Sequence, residues 1–458
     1  MNKKCRIRIA REEFNAVYGH LFPGDMDEHG AVLLAGTSQS NGQMTLHVRE
    51  VHLAGEGIDY VEGKIGYRAL SPTFIHRLIT RARDEKLAYL AVHNHGTDRE
   101  VGFSHIDLQS HERGYPALLQ IARGMPVGAL VFGLRSIESD VWLPDGNRLP
   151  LDQAVVVGKT IQRLTPSPRK KSGHAEPTYD RQVRMFGKNG QSELAICHVA
   201  ILGLGGIGSL VAEYLARLGV GHFLLVDNDL VEESNLARIV GAASSDARDK
   251  NTKVSVAQRM ILQANSRAQV RTITDDVAKE SVAREVTACD YVFLGADSMR
   301  ARLVFNALVH QYLIPGVQLG SKIRSDPQGA LLDVMSANRP VRPGHGCLWC
   351  NQLIDVTALA KEAKTDDERK AQAYGVEEAN PSVISLNAVS AAHAVNDFLL
   401  DYLSLRPEPE LLDYEEFHFL KQTRSLVEPR KDPECPECSR AGQRYGRGDG
   451  VELPCIEG

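Results

Sequence analysis

For its length the chain is short of cysteine and tryptophan. Its 458 residues hold eight Cys and two Trp, and aromatic residues make up 6%. Cysteines that sparse exclude a disulfide scaffold. No run approaches the ~18 uninterrupted apolar residues of a membrane helix, so no membrane span and no membrane partner are expected. The first residues, Met1 to Glu13, break their apolar stretch with charges. That argues against a secretory leader and for a cytoplasmic location. A large excess of charge is also missing. Lys and Arg number 53 against 58 Asp and Glu, a net charge of −5. Bulk charge therefore offers nothing to nucleic acid, and no such partner is expected. What is present is a globular composition, 43% hydrophobic and 24% charged. At roughly 100–200 residues per domain, the length predicts two or three domains.

The composition breaks once. Residues 164–177 hold three prolines and almost no apolar side chain, which predicts a linker between domains at 1–163 and 178–458. Before it, short β-like runs at 31–35, 44–51, 89–93 and 129–132 surround a helical pattern at 71–86. They predict a compact α+β domain. After it, strands predicted at 197–202, 222–226, 270–273 and 291–294 alternate with helices at 208–218, 253–265 and 301–312. Alternation of this kind gives βαβ units and a mostly parallel sheet, so the chain as a whole is expected to be α/β.

Residues 93–107 read His-Asn-His-Gly-Thr-Asp-Arg-Glu-Val-Gly-Phe-Ser-His-Ile-Asp. His93 and His95 stand two apart at a strand end, so both imidazoles point to one face. Ser104 is expected at a helix start, with Asp107 on its first turn. Two His and one Asp are three ligands, leaving a fourth zinc position for water, the open arrangement of a catalytic site. Ser-x-x-Asp is also close to a helix capping box, a purely structural reading.

This stretch resembles the JAB/MPN+ (JAMM) metalloproteases, whose pattern is Glu…His-x-His-x(7–8)-Ser-x-x-Asp. The resemblance covers roughly residues 1–155. It implies His93, His95 and Asp107 as ligands of a catalytic zinc and Ser104 as an oxyanion stabiliser. It also implies an upstream glutamate as general base. Glu28, ahead of the run into Gly36, fits best, and Glu50 is the alternative. Members of that family cut peptide or isopeptide bonds after the C-terminus of ubiquitin-like proteins.

Residues 199–208 read Val-Ala-Ile-Leu-Gly-Leu-Gly-Gly-Ile-Gly. Gly203, Gly205, Gly206 and Gly208 ahead of a helix suit a phosphate, because glycines admit close approach and the helix N-terminus favours negative charge. The motif alone serves NAD or FAD equally. The residues beyond it point elsewhere: Asp227-Asn-Asp229, then Ser234-Asn235-Leu-Ala-Arg238, Lys253 before a helix, Asp297 at a strand end and Arg302 further on. Basic groups around a glycine turn suit a triphosphate. An acid at a strand's carboxyl end suits Mg²⁺.

These features, opened by Tyr179-Asp-Arg181-Gln, resemble the ThiF/MoeB family of enzymes that adenylate ubiquitin-like proteins. The match covers about 178–440. It implies ATP held by Gly206, Asp227, Asn235, Arg238, Lys253 and Asp297, with Mg²⁺ on Asp297. It also implies a homodimer in which Arg181 reaches the partner's site.

Cys347-Leu-Trp-Cys350 and Cys435-Pro-Glu-Cys438 supply four thiolates, the set tetrahedral structural zinc prefers; a redox pair would leave one knuckle idle. The ThiF/MoeB family carries both knuckles. The chain departs from it in one respect: residues 351–434 contain no cysteine to take a thioester. Cys197 and Cys289 belong to predicted core strands and Cys5 to the other domain. That leaves Cys455 in the polar tail as the one mobile thiol. Ser382, after Pro381, is expected to cap a helix.

The expectation is a zinc (iso)peptidase joined to an adenylating domain. Arg181, Arg238 and Lys253 would offset the charge developing at the α-phosphate. The partners would be a ubiquitin-like or sulfur-carrier protein and a conjugating enzyme. Sulfur-carrier metabolism is one alternative, and a scaffold without catalysis another.

Overall fold

The structure is a computed structural model that describes residues 4–40, 42–61, 69–167, 176–362, 381–406 and 413–456. The chain divides into two compact units. The first comprises Met1–Lys170 with His310–Leu313 and Pro436–Glu452. The second comprises Lys171–Val309, Ile314–Cys435 and Leu453–Gly458. The core of the expected linker, residues 168–175, lies outside the described residues.

The first unit carries β1 (Cys5–Ala10), α1 (Arg11–Leu21), β2 (Gly30–Ser40), β3 (Gln43–Leu53), α2 (Pro72–Asp84), β4 (Ala88–Asn94) and α3 (His105–Ala122). After these come β5 (Val127–Phe132), β6 (Ile137–Trp142), β7 (Arg148–Val157) and β8 (Ile161–Leu164). Its sheet runs β1-β3-β2-β4-β5-β6-β7-β8, and β1 also pairs with β7. The sheet therefore closes on itself, and β8 extends β7. One face buries Ile7, Leu33, Leu46, Leu90, Leu130 and Val156 against α1. In a second cluster, Phe74 and Leu78 of α2 and Tyr115 of α3 pack with Tyr89 of β4. Helix α2 starts where its sequence says it should: Ser71 accepts a hydrogen bond from the Phe74 N–H, and Pro72 occupies the first turn.

Residues 436–452, placed with the second domain by the sequence division, are bound into this first unit. The Gly36 N–H donates to Gly446 O (3.1 Å) and the Asp449 N–H to Thr37 O (2.7 Å). Arg49 donates to the carbonyls of Tyr445 and Gly442. Buried Tyr445 donates to Glu13 Oε1 at 2.9 Å, and Arg440 Nε meets the same oxygen at 2.5 Å. The segment has no apolar periodicity. Hydrogen bonds to distant backbone, not a core face, decide where it folds.

The second unit carries α4 (Asp180–Ala195), β9 (His198–Leu202), α5 (Gly206–Leu218), β10 (His222–Val226), α6 (Ser244–Arg248), α7 (Lys253–Ala264), β11 (Gln269–Ile273), α8 (Glu280–Val286) and β12 (Tyr291–Leu294). It continues through α9 (Met299–Gln311), β13 (Gly316–Ser325), β14 (Leu331–Val341), α10 (Val356–Glu362), α11 (Ile384–Tyr402), β15 (Tyr414–His418) and β16 (Thr423–Val427). The strand order is β11-β10-β9-β12-β13-β14-β15-β16. From β11 to β13 the pairs are parallel; from β13 to β16 they are antiparallel. Val199–Leu202 is fully buried, the continuous apolar run of a parallel strand covered on both faces. Strand β9 lies between β10 and β12, where the winding reverses direction. At such a switch point the loops at the strands' carboxyl ends part and leave a crevice.

Candidate functional sites

In the first unit, β4 delivers His93, which pairs in register with Gly30 at the start of β2. The His95 N–H continues the ladder to Phe132 O at 2.8 Å, so both imidazoles emerge at one strand end. Nε2 of His93 and Nε2 of His95 are 3.2 Å apart, and each stands 3.6 Å from Asp107 Oδ2. Zinc at 2.0–2.1 Å from tetrahedral ligands needs ligand separations of about 3.4 Å. The three atoms meet that requirement.

Ser104 and Asp107 also form the capping box of α3. The Asp107 N–H donates to Ser104 Oγ (3.2 Å), and the Ser104 N–H to Asp107 Oδ2 (2.8 Å). The cap directs the Asp107 carboxylate toward the two histidines. Burial opposes ionisation of Asp107, but hydrogen bonds with His93 and Ser104 outweigh it and hold the carboxyl below its usual range. Ser104 accepts the cap bond through an oxygen lone pair, so its own hydroxyl proton is still there to donate.

Of the two candidate bases, Glu28 reaches this cluster: its Oε1 is 3.8 Å from His95 Nε2. Burial pushes its carboxyl up, with His93 and His95 pulling against the shift. Glu50 is engaged elsewhere, paired with Nε and Nη2 of Arg81 (2.6 and 2.9 Å) and with His52 (3.0 Å). Sequence reasoning missed Asn94. It lies between His93 and His95 in the sequence but on the other face of β4, and its Oδ1 accepts the His29 N–H at 2.6 Å and so fixes the residue next to Glu28. The strand alternation across His-x-His was the signal that could have found it.

In the second unit, Leu202, Val226 and Leu294 end β9, β10 and β12 in register. Gly203, Asp227 and Gly295 follow them at the crevice. Gly203 has φ +91°, a left-handed conformation that favours glycine, and a side chain at Gly208 would overlap the Gly203 carbonyl. Gly205 caps α5 without a side-chain bond, and Gly206 is that helix's first residue. Asp227 is buried; its Oδ2 accepts the Leu204 N–H (2.6 Å) and its Oδ1 the Asp229 N–H (2.9 Å). Burial pushes its carboxyl up, and Lys253 pulls it down.

Lys253 Nζ sits 2.6 Å from Asp229 Oδ2 and 3.9 Å from Asp227 Oδ1. Asn235 is buried, and Arg238 Nη1 donates to Ser234 O at 2.7 Å. Asp297 is exposed just beyond β12. The structure therefore gathers Gly203–Gly208, Asp227, Asp229, Lys253 and Asp297 at the carboxyl ends of adjoining strands. Arg302 Nη1 donates to Leu353 O at 2.8 Å. Arg181 is exposed on the first turn of α4.

Cys347, Cys350, Cys435 and Cys438 hold their sulfurs within 4.8 Å of one another. Cys347 Sγ is 3.5 Å from Cys350 Sγ and 3.8 Å from Cys435 Sγ. Zn–S bonds of ~2.3 Å in a tetrahedron place sulfurs about 3.8 Å apart. The Cys350 N–H donates to Cys347 Sγ, the kind of support that orients a ligand. A third grouping, His393, Asp397 and Glu415, is compact but already neutralised: Arg406 pairs with Asp397, and Arg424 with Glu415.

Two sequence expectations fail here. Cys455 is not a mobile tail thiol: it is half-buried, and the neighbouring Ile456 N–H donates to Ala278 O at 2.8 Å. Ser382 does not cap α11. Val383 holds the cap position, and Ser382 Oγ accepts the Asn387 amide instead. Residues 374–380 of that loop lie outside the described residues.

The ThiF family model matches residues 179–437, and the chain belongs to the ThiF family. It is similar to the sulfur carrier protein ThiS adenylyltransferase of Bacillus subtilis, 29% identical over 186 residues, 40% of this chain and 51% of that one. It is also similar to the molybdopterin-synthase adenylyltransferase of Haemophilus influenzae, 31% identical over 34% of this chain and 64% of that one. The SAMP-activating enzyme E1 of Haloferax volcanii is 28% identical over 268 residues, 58% of this chain and 89% of that one. The chain thus spans about half to two-thirds of the first two relatives' length. The matched family segment begins after the His93–His95–Asp107 cluster. Among the described residues, no helix is long and apolar enough to cross a membrane.

Proposed function

We propose that this chain adenylates the C-terminal carboxylate of a ubiquitin-like or sulfur-carrier protein, and that its first unit is a JAB/MPN+-type zinc peptidase acting on the same C-terminus. The observation that carries the reading is that one chain holds both a complete glycine-turn crevice and a complete His93–His95–Asp107 triangle with a carboxylate beside it.

In the second unit, the carrier carboxylate attacks the α-phosphorus of ATP. The new bond is acyl O–P, the bond to the β-phosphate oxygen breaks, and pyrophosphate leaves. The glycine turn and the α5 N-terminus receive the phosphates. Lys253 and Arg238 offset the charge that builds up, an electrostatic contribution that is usually the largest in such sites. Asp297, just beyond β12, would hold Mg²⁺. A homodimer would let Arg181 of one copy serve the other. The relatives named above, two of them adenylyltransferases and the third an activating enzyme, support this half.

In the first unit, His93, His95 and Asp107 would hold zinc, which when bound supplies a Lewis acid and a water of lowered pKa. Glu28, its carboxyl pushed up by burial, takes the proton from the attacking water and hands it to the leaving amine. Ser104 donates its hydroxyl proton to the developing oxyanion. The four-cysteine group would hold structural zinc. With no cysteine at 351–434 and Cys455 held beside Ile456, the acyl-adenylate passes directly to a partner, a conjugating enzyme or an external thiol.

The test uses a small ubiquitin-like protein encoded near this gene. ATP–pyrophosphate exchange that depends on that protein, together with chelator-sensitive cleavage of its C-terminal peptide fusion, is the expected result. Exchange without cleavage would leave an adenylating enzyme alone. Absence of both activities would refute the proposal.

A further inference from the structure

The glycine turn of the nucleotide crevice has almost nothing of its own to hold it in place. Gly203, Gly205 and Gly206 carry no side chains, and glycine resists fixation more than any other residue. The cap at Gly205 makes no side-chain hydrogen bond. Ser209 Oγ donates to Gly206 O at 3.3 Å and the Gly203 N–H to Val226 O at 2.9 Å; the remaining restraint on the turn comes from side chains outside it. On one side the restraint is Asp227, through the Leu204 N–H.

On the other side is Asn387, on the first turn of α11 and only 1% exposed. A Cβ at Gly206 would overlap the Asn387 amide nitrogen, so the amide lies directly against the turn; the Arg238 Cδ would be 3.4 Å from the same Cβ. The amide is itself held at both ends. Asn387 Nδ2 donates to Ser382 Oγ at 3.0 Å, and Ser321 Oγ on β13 donates to Asn387 Oδ1 at 2.9 Å. Ser336 Oγ on β14 donates to the Leu386 carbonyl at 2.8 Å, fixing the turn of α11 that carries it.

We infer that Asn387 is a positioning residue for ATP: its amide, braced by Ser321 and Ser382, sets the height of Gly206 and so the aim of the α5 N–H groups at the phosphates. An amide suits this place better than a carboxylate or an aliphatic chain. It fills the gap behind an anion site, satisfies two hydroxyls, and adds no negative charge. The Arg238 stem packs against the same glycine, so the amide also defines one wall of the slot from which that guanidinium works. This inference rests on the adenylation reading above.

The experiment compares ATP and adenosine binding to the full-length wild-type protein and to Asn387→Asp. Aspartate keeps the shape and both serine contacts but puts a charge behind the phosphates. ATP affinity should fall about tenfold or more, the scale of a unit charge several ångströms from a phosphate at an effective dielectric of ~20. Adenosine affinity should stay within about twofold, since adenosine carries no phosphate for that charge to repel. A merely structural role would lower both together. An unchanged ATP-to-adenosine ratio in folded Asn387→Asp overturns the inference. If that variant does not fold, Ser321→Ala/Ser382→Ala releases the amide without touching the turn. ATP affinity should then fall several-fold with adenosine affinity retained, and unchanged ATP affinity overturns the inference. Wild-type protein that binds neither ligand overturns the adenylation reading and this inference with it.

Discussion

Glu28 Oε1 lies 3.8 Å from Nε2 of His95, one corner of the His93–His95–Asp107 triangle. A carboxylate there is close enough to share a water with a bound metal without being a ligand. Glu28→Gln is therefore expected to retain zinc, measured by metal analysis, while peptide release from a carrier fusion drops by about two orders of magnitude or more, the usual worth of a general base. Glu50→Gln should cleave normally. The reverse pattern would move the base to Glu50.

Glu50 has a different job, visible in its response to acid. Burial opposes its ionisation, but hydrogen bonds with His52 and Arg81 bring its pKa down to about 2 from the ordinary 4.5. A depressed carboxyl adds stability that is complete above about 4.5 and fades as the pH falls toward 2. Arg81 is half exposed, so the gain is on the order of 1 kcal/mol or less. Thermal melts of Glu50→Gln should lie below wild type at pH 7 and converge with it as the pH drops below 4.5. A gap that widens in acid would contradict the assignment.

The segment 436–452 should matter to the first unit as much as any of its strands. Tyr445 and Glu13 are both buried, and the Tyr445 hydroxyl is one of two donors to Glu13 Oε1. Removing it in Tyr445→Phe leaves a buried carboxylate short of a donor, a loss of about 1–3 kcal/mol. Chemical denaturation checks this directly. A Phe variant as stable as wild type would mean the segment only rests on the unit.

The sulfur spacing makes a similarly plain prediction. Cys350→Ser should lose one zinc per chain. It should also destabilise the protein by several kcal/mol, because binding energy at a structural zinc site is folding energy. If zinc content and melting temperature stay at wild-type values, the four sulfurs do not hold a metal.

How much of this was legible beforehand depends on whether local pattern or distant contact decided the structure. The Val199–Leu202 run, the glycine turn and the acid ending β10 declared themselves, because a buried parallel strand and a phosphate turn each need particular residues at fixed spacing. His93, His95, Ser104 and Asp107 did so for the same reason. The hairpins of β13 to β16 were not foreseen: Ser321 breaks the Val317, Leu319, Ile323 alternation of β13, and Glu416 breaks that of β15 two residues after Tyr414. Strand β1 was legible but missed: Cys5, Ile7 and Ile9 alternate with Arg6 and Arg8 as a half-buried strand requires. Asn387 carried no signal at all, since its importance comes from a glycine far away in sequence. Ser382 illustrates the opposite error. A good capping residue was passed over because the Asn387 amide claimed its oxygen.

Two single substitutions, assayed side by side for ATP–pyrophosphate exchange and for release of a C-terminal peptide from the carrier, bear on the proposal that one chain runs both reactions. Asp297→Asn should abolish most exchange and leave peptide release intact. Asp107→Asn should abolish release and leave exchange intact. Release that persists in Asp107→Asn, or exchange that persists undiminished in Asp297→Asn, would contradict it.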